Sequence, residues 1–172
     1  MRQEWGRMIY LLDADSLIRP SNTFYRLNRV PQFWDWLVYQ GTLSNVTLPL
    51  EQYEEIVTGN GNLVEWLKEQ ESKDALLLEE EADPTLIAEV VLEGYGDLDE
   101  TEIEKLGRDP FLISYGLAAK SDRCVVTFEN SAPSRKRANR KIPDVCKDLG
   151  VNCCTLFDVI EALDFSTDWQ PN

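Results

Sequence analysis

Short apolar runs alternate along the chain with stretches whose apolar residues recur at helical spacing. The first run, Ile9–Leu12, leads directly into Asp13 and Asp15. A continuous apolar run of this length predicts a strand that is covered on both faces, as in the parallel sheets of α/β proteins. Shorter runs predict three further strands, at residues 46–48, 124–127 and 151–155.

Amphipathic segments between these runs predict helices. One covers residues 30–41, with Pro31 near its start and Gly41 at its end, and another covers residues 109–118, with Pro110 in the tolerated first turn. Further helices are predicted at residues 50–58, 63–69, 85–92, 142–150 and 156–163. Residues 75–78 fit either a strand or a helix, because so short a run has no distinguishing period. An acidic connection is predicted at residues 94–100.

Strands that alternate with helices predict an α/β fold, namely a single-domain, doubly wound parallel sheet flanked by helices. We expect one domain over residues 1–172 with its core at about 8–165, because no repeat or linker divides the chain. No apolar stretch is long enough to span a membrane, and residues 1–5 are too polar for a signal peptide. The four cysteines lack CxxC spacing, so we expect free thiols and a cytoplasmic protein.

The composition limits the kinds of catalysis and of metal site that the chain can have. The chain contains no histidine, which excludes Ser-His and Cys-His catalysis and any histidine-bound metal. Its many carboxylates favour hard cations such as Mg²⁺ or Mn²⁺. A formal net charge of −14 argues against a passive nucleic-acid binder. The charge is unevenly spread, because residues 74–104 contain no Lys or Arg whereas residues 135–141 form a basic block.

Acidic residues follow, begin or lie within several of the predicted elements. They are Asp13, a glutamate within residues 51–55, Asp109 and Glu129. A doubly wound sheet gathers its strand ends at one edge, so these acids can meet in one site. Repulsion between such carboxylates would favour a bound cation. The alternatives are ordinary ones: Asp13 in a turn, Asp109 as a helix cap and Glu129 as an exposed turn acid.

The ordered set of acids resembles the motifs of the PIN-domain nucleases. Residues 10–18, YLLDADSLI, resemble the first motif, and residues 55–59, 109–118 and 125–129 resemble the other three in family order. Residues 141–151 are similar to an uncharacterised branch of PIN-like proteins. The first motif of the family usually has Asn or Ser where Asp15 stands, and its fourth acid is usually Asp where Glu129 stands. Helical spacing favours Glu54 as the second acid, whereas the motif favours Glu55.

This resemblance implies a metal-dependent endoribonuclease that hydrolyses RNA phosphodiesters, similar to the toxin of a toxin–antitoxin pair. It implies that Mg²⁺ or Mn²⁺ is held by the catalytic acids Asp13, Glu55, Asp109 and Glu129. Asp15 and Thr127 would orient these ligands through hydrogen bonds. The basic block would bind RNA phosphates through Arg135, Lys136, Arg137, Arg140 and Lys141. A basic antitoxin or other protein could cover residues 74–104 or the site, and a homodimer is compatible with the sequence.

Two other functions fit parts of the pattern. In a haloacid-dehalogenase-like phosphatase, Asp13 would be the nucleophile, Asp15 the general acid and Thr127 a phosphate ligand. That family expects Thr where Leu17 stands, and no lysine followed by paired acids is evident downstream. A catalytically inactive PIN-like module that binds RNA or protein is the second alternative, since the motifs depart from the family at Asp15 and Glu129.

Overall fold

A computed structural model describes residues 7–172, so the polar opening at residues 1–5 lies outside the described residues. The strands are β1 (Ile9–Leu12), β2 (Val46–Thr47), β3 (Arg123–Val126) and β4 (Asn152–Cys154). The helices are α1 (Asp15–Asn22), α2 (Pro31–Thr42), α3 (Leu50–Val57), α4 (Asn62–Lys68), α5 (Gln70–Leu76), α6 (Pro84–Glu89), α7 (Glu100–Leu106), α8 (Asp109–Leu117), α9 (Ile142–Leu149) and α10 (Leu156–Ala162). A π-helical turn covers Val90–Tyr95 and a 3₁₀ turn covers Arg137–Asn139.

The strands form one parallel sheet in the order β2-β1-β3-β4. Leu11 of β1 is in register with Val125 of β3, which is in register with Cys153 of β4. The predicted α/β class, a parallel sheet flanked by helices, is therefore confirmed.

Both faces of the sheet are buried. Successive side chains in a strand point to opposite faces, so neighbouring residues of one strand pack in different cores. Leu12 and Val126 pack on one face, against a core that includes the aromatic residues of α2. Leu11 and Val125 pack on the other face, against residues of α8 and α9. All four of these strand residues are completely buried. This double burial explains why the strands are continuous apolar runs rather than alternating ones.

The topology creates a crevice at one edge of the sheet. β2 flanks β1 and β4 flanks β3, so the chain leaves β1 and β3 in opposite directions. In open parallel sheets, ligands bind in the crevice that such a divergence leaves at the carboxyl ends of the strands. Asp13 directly follows β1, and residues 127–129 directly follow β3. The fold therefore places the predicted acids at this crevice.

Helices α1 and α7 lie where no helix is predicted, and two predicted segments differ in the structure. Residues 75 and 76 end α5, and Leu77 then forms an isolated parallel bridge with Leu48, so the ambiguous run is first helical and then extended. The predicted acidic connection begins later than expected, because Gly94 and Tyr95 are buried in the π-helical turn. A Cβ atom at Gly94 would lie only 2.6 Å from Val145 Cγ1, so close packing on α9 requires glycine there.

Two expectations from composition can also be compared with the structure. All four cysteines are free, with Cys124 and Cys146 buried. No helix within residues 7–172 has both the length and the apolar character that crossing a membrane would require.

Candidate metal centre

Asp13 is held in place by the start of the helix that follows it. Its Oδ1 accepts hydrogen bonds from the backbone N–H of Ser16, at 2.7 Å, and from the Ser16 hydroxyl, at 2.6 Å. The backbone N–H of Asp13 continues the sheet by donating to the Val126 carbonyl. Asp13 is only 8% exposed. The strand end and the first turn of α1 together fix the direction of this carboxylate.

The predicted acids meet around one cavity of about 330 Å³ at the crevice. Five carboxylates contribute to its wall, those of Asp13, Asp15, Glu55, Asp109 and Glu129. They come from the ends of β1 and β3 and from α1, α3 and α8. Arg19, Gln52, Ala14 and Ile142 complete the lining. The structure thus brings together acids that lie as far apart in the chain as residues 13 and 129.

Glu129 is fixed at both its backbone and its carboxylate. Its backbone N–H donates to Thr127 Oγ1 at 3.1 Å, and its Oε2 accepts from the backbone N–H of Ile142 at 2.7 Å. Ile142 begins α9, where free N–H groups favour an anionic partner. The alternative in which Glu129 is a solvent-facing turn acid does not fit, since helix α9 holds its carboxylate at the cavity.

Asp109 does not serve as a helix cap. It is the first residue of α8, and no side-chain capping hydrogen bond is present at that helix start. No hydrogen bond within residues 7–172 involves its carboxylate. Burial raises the pKa of Asp109 to about 7, and repulsion from Glu129, Asp13 and Glu55 adds to this shift, while Lys141 opposes it. Asp109 is thus a carboxyl group in an electrostatically unfavourable position.

Asp13 shares this electrostatic stress. Burial raises its pKa to about 6, although hydrogen bonds from Ser16 and Thr127 lower it and Asp15 raises it further. Two carboxyls with pKa values near neutrality, facing further acids, indicate a site whose negative charge lacks compensation by protein cations. A bound cation would remove this cost.

Buried polar atoms without partners accompany the acids. Within residues 7–172, Gln52 Oε1 and the Tyr95 hydroxyl are the only buried side-chain nitrogen or oxygen atoms without a hydrogen-bond partner. Gln52 is 2% exposed and contributes to the cavity wall. The pKa of Tyr95 is raised first by burial and then by the charges of Asp109 and Glu129, so this ring lies close to the same acids. An unsatisfied buried acceptor is costly, so Gln52 Oε1 is suited to a ligand or to a water held by one.

Gln52 also belongs to a clamp between α3 and α8. Its Nε2 donates to the Arg108 carbonyl at 3.1 Å. The Arg108 guanidinium reaches back to the Glu51 carbonyl at 2.7 Å and to Glu54 Oε2 at 2.9 Å. This clamp sets the separation between the helix that carries Glu55 and the helix that begins with Asp109.

The clamp also decides between the two candidate glutamates. Glu54 pairs with Arg108, whereas Glu55 lines the acidic cavity and an adjoining cavity of about 600 Å³. The structure therefore places Glu55, the residue that the motif indicates, at the acidic cavity. Helical spacing pointed to Glu54 because that residue lies nearer the apolar face of α3.

The donor set suits a hydrated hard cation. Within residues 7–172, no three acidic or cysteine side chains lie close enough to enclose a metal ion together. Mg²⁺ commonly retains several waters and is bound directly by only one or two carboxylates. The carboxylates of Asp13, Glu55, Asp109 and Glu129 could hold a cation in this mode, with Gln52 Oε1 as an acceptor for a water.

The two residues predicted to orient the acids differ in their placement. Thr127 is buried and lies between two of the acids. It lowers the pKa of Asp13 through a side-chain hydrogen bond, and its Oγ1 accepts a hydrogen bond from the Glu129 N–H. Asp15 lines the cavity, but its Oδ2 pairs with Arg19 at 2.6 Å. Ser16, one residue later, donates the hydrogen bonds that hold Asp13, so the orienting role of Asp15 stays a prediction.

The basic block is largely engaged within the protein. Arg137 binds both carboxylate oxygens of Glu102 and the Asp97 carbonyl, and Arg140 binds Asp148 and the Gly94 carbonyl. These arginines connect the block to the acidic region and to α9. Their contact with RNA phosphates stays a prediction, in competition with these partners. No ion pair within the described residues involves Arg135, Lys136 or Lys141.

Sequence reasoning missed four residues around the cavity: Ser16, Arg19, Gln52 and Tyr95. Ser16 has a recognisable signal, because an Asp just before a helix commonly accepts hydrogen bonds from nearby backbone N–H groups. Gln52 lies three residues before Glu55 on one helix, which places the two side chains on neighbouring positions of its surface. Tyr95 has no such signal, since the π-helical turn that buries it has no distinct sequence pattern.

Comparison with known proteins identifies the family. No curated protein and no solved structure is significantly similar to the chain. One family model, described as a domain of unknown function (DUF4411), matches residues 10–167. The match includes β1 from its second residue, the other three strands in full and all four candidate acids. Because it spans most of the sequence, the chain belongs to the DUF4411 family.

Proposed function

We propose that this chain is a PIN-like, metal-dependent endoribonuclease that uses Mg²⁺ or Mn²⁺ to hydrolyse RNA phosphodiesters. The observation that carries the proposal is the convergence of Asp13, Glu55, Asp109 and Glu129 on one cavity at the crevice. The raised pKa values of Asp13 and Asp109 also support the proposal, because a bound cation would stabilise the charged form of these buried, mutually repelling carboxyls. The order of the motifs along the chain supports the same reading.

The side chains have distinct tasks in this mechanism. Asp13, Glu55, Asp109 and Glu129 would hold the cation, which, when bound, supplies a more acidic water and neutralises charge on the phosphate. Ser16 and Thr127 keep Asp13 in one orientation, and the start of α9 does the same for Glu129. Gln52 Oε1 would accept a hydrogen bond from the attacking water and so orient it. Arg19, at the cavity wall, is placed to contact the phosphate.

The geometry disfavours the phosphatase alternative. Asp13 is buried and its Oδ1 accepts two hydrogen bonds, which constrains a nucleophile and a cation ligand alike, so Asp13 does not separate the two functions. Asp15 as a general acid would need a carboxyl free to reach the leaving group, but its Oδ2 is engaged by Arg19 at 2.6 Å. A diester nuclease requires neither residue in these roles.

The decisive experiment compares substrates. Purified full-length protein is stripped with EDTA and then incubated with Mn²⁺ and either a fluorescent single-stranded RNA or a small phosphomonoester. We expect RNA cleavage that requires the metal and no release of phosphate from the monoester. Turnover of the monoester alone would support the phosphatase. Tight RNA binding without any cleavage would support the inactive module.

The salt dependence of RNA binding tests the basic block. Arg135 and Lys136 are exposed and lack ion pairs within the described residues, whereas Arg137 and Arg140 are already paired. Replacing Arg135 and Lys136 together by Ser should flatten the slope of log affinity against log salt by about 1.4, since each phosphate contact contributes roughly 0.7 on single strands. Fluorescence anisotropy in EDTA from 50 to 300 mM salt measures this slope. An unchanged slope in this double variant would remove the block from the RNA surface.

The matched control is the double variant of Arg137 and Arg140 to Ser. Because these arginines bind Glu102 and Asp148, their loss should lower the thermal midpoint of unfolding. It should change the salt slope less than the Arg135 and Lys136 variant does. A larger slope change here than in the Arg135 and Lys136 variant would show that Arg137 and Arg140 are the residues that contact RNA phosphates.

We also propose a cytoplasmic, toxin-like role in which a basic protein segment covers the acidic surface. Residues 79–81 are three exposed glutamates, of which Glu80 pairs with Arg123, and the net charge of the chain is −14 with all its Lys and Arg counted. Opposite potentials would steer and orient such a partner. Co-purification from native lysate at low salt, compared with a variant in which residues 79–81 are Gln, tests this idea. Equal recovery of every co-purifying protein by both would contradict it.

A further inference from the structure

Three phenylalanines from distant parts of the chain form an aromatic surface, which we call the Phe platform: Phe24, Phe128 and Phe157. Phe24 follows α1, Phe128 follows β3 and Phe157 belongs to α10. Their ring centroids lie 5.4 Å apart for Phe24 and Phe157, 5.5 Å for Phe128 and Phe157, and 6.4 Å for Phe24 and Phe128. Each ring therefore contacts both of the others.

The Phe platform faces solvent. Phe24 is 38% exposed and Phe157 is 55% exposed. Phe157 occupies the second position of α10, while Leu156 and Val159 of the same helix are fully buried in the core. Core packing therefore does not account for an aromatic residue at position 157. Clustered exposed aromatic side chains mark binding surfaces more often than single exposed apolar residues do.

The Phe platform begins at the rim of the acidic cavity. The central carbon of the Arg19 guanidinium lies 4.6 Å from the centroid of the Phe128 ring, in a cation–π contact. Arg19 also lines the acidic cavity, as does Glu129, the residue next to Phe128. The order across the surface is thus aromatic rings, then one guanidinium, then the acids.

We propose that the Phe platform is a base-stacking subsite for single-stranded RNA, an inference that rests on the proposed nuclease function of the cavity. An unpaired base stacks on Phe24 and Phe157, and Arg19 contacts the phosphate that connects this base to the one at the cavity. The alternation of ring and guanidinium matches the alternation of base and phosphate along one strand. A duplex does not fit, because its bases are already stacked and paired.

Binding in the absence of metal tests the platform independently of cleavage. Fluorescein-labelled hexauridylate is titrated, in EDTA, into the parent protein and into the variants Phe157→Ala and Phe157→Trp. Phe157→Ala should weaken binding roughly fivefold to hundredfold, the range seen when a stacking aromatic is removed. Phe157→Trp should retain the affinity and show quenching of its added fluorescence. Leu92→Ala, at a 58% exposed apolar residue outside the platform, is the matched control and should bind as the parent does.

An abasic oligonucleotide separates stacking from charge. It should bind the parent weakly, and Phe157→Ala should weaken it no further, because the missing base is what Phe157 contacts. The inference is overturned if Phe157→Ala binds hexauridylate as tightly as the parent, or if it weakens both oligonucleotides equally. It is also overturned if Phe157→Ala dissociates a dimer in sedimentation velocity while RNA affinity stays constant, since the surface would then be an interface between two copies of the chain.

The two proposals can fail separately. If the parent binds hexauridylate through Phe157 but never cleaves RNA with Mn²⁺, the nuclease proposal fails and the base-stacking subsite stands. If RNA is cleaved but Phe157→Ala neither weakens binding nor raises KM, the subsite fails and the nuclease proposal stands.

Discussion

Replacing Asp13 by Asn should reduce Mn²⁺-dependent RNA cleavage by at least about 100-fold while leaving the protein folded. Asn keeps the volume and the Oδ1 acceptor that binds the Ser16 N–H and hydroxyl, so the start of α1 is preserved. The carboxylate charge disappears, and a catalytic cation typically contributes several kcal/mol of transition-state stabilisation, each 1.4 kcal/mol being about tenfold in rate. Single-turnover cleavage of a labelled RNA measures the loss.

Two controls accompany this variant. Asp35→Asn makes the same change at an exposed position of α2 outside the cavity, so its cleavage rate should equal that of the parent. The thermal midpoint of metal-free Asp13→Asn at pH 8 should match or exceed that of the parent, because a buried charge has been removed. Cleavage by Asp13→Asn at the parent rate would show that the acidic cavity is not the catalytic site.

The metal-free protein should lose stability between pH 5 and pH 8, and Mn²⁺ should restore it mainly at the alkaline end. The folded-state pKa values of Asp13, about 6, and Asp109, about 7, lie above the unfolded value near 3.9. The folded state therefore binds protons that the unfolded chain has released. Stability from these groups is complete below about pH 4 and is lost as the pH rises through 6 and 7.

The expected loss from pH 5 to pH 8 is on the order of 4 kcal/mol, since about three pKa units are involved and each corresponds to about 1.4 kcal/mol. For a domain of this size that is a fall of roughly 8 to 16 °C in the thermal midpoint. The chain has no histidine, the side chain that ordinarily titrates in this range, so the assignment to carboxyls is direct. Mn²⁺ competes with the same protons, which is why its stabilisation should be larger at pH 8 than at pH 5.

Asp109→Asn is the control for this pH dependence. It removes the carboxyl with the most strongly raised pKa among the acids of the cavity, so the metal-free midpoint should vary less with pH than in the parent. Differential scanning fluorimetry over the same buffers, with and without Mn²⁺, gives both comparisons. A parent midpoint that is flat from pH 5 to pH 8, or equal Mn²⁺ stabilisation at both ends, would contradict the charge repulsion described for this cavity.

The fold was accessible from sequence because both faces of the sheet are buried. Leu11 and Leu12 pack on opposite faces, so β1 had to be a continuous apolar run, and a run ending in Asp13 pointed to the crevice. Ambiguity arose where local pattern and tertiary contact compete. Residues 75 and 76 are helical, whereas Leu77 is extended because it pairs with Leu48. Leu48 is too distant in sequence for the local pattern around residue 75 to reveal this contact.

The candidate site was only partly accessible for the same reason. Motif order gave Asp13, Glu55, Asp109 and Glu129, but hydrogen-bond partners distant in sequence determine how these side chains are held. The engagement of Arg137 by Glu102 depends on a contact across 35 residues. The Gln52 bond to the Arg108 carbonyl uses a backbone atom that has no sequence signature.

The clamp between α3 and α8 bears on transplanting this site into another protein. Its acceptors include the backbone carbonyls of Glu51 and Arg108, so it needs the side chains of Gln52 and Arg108 together with a fixed approach of two helices. Four acids grafted alone onto a different parallel sheet would be a repulsive cluster without a defined spacing. The smallest portable unit therefore includes these supports as well as the acids, because the precision of a designed site comes from what holds its ligands.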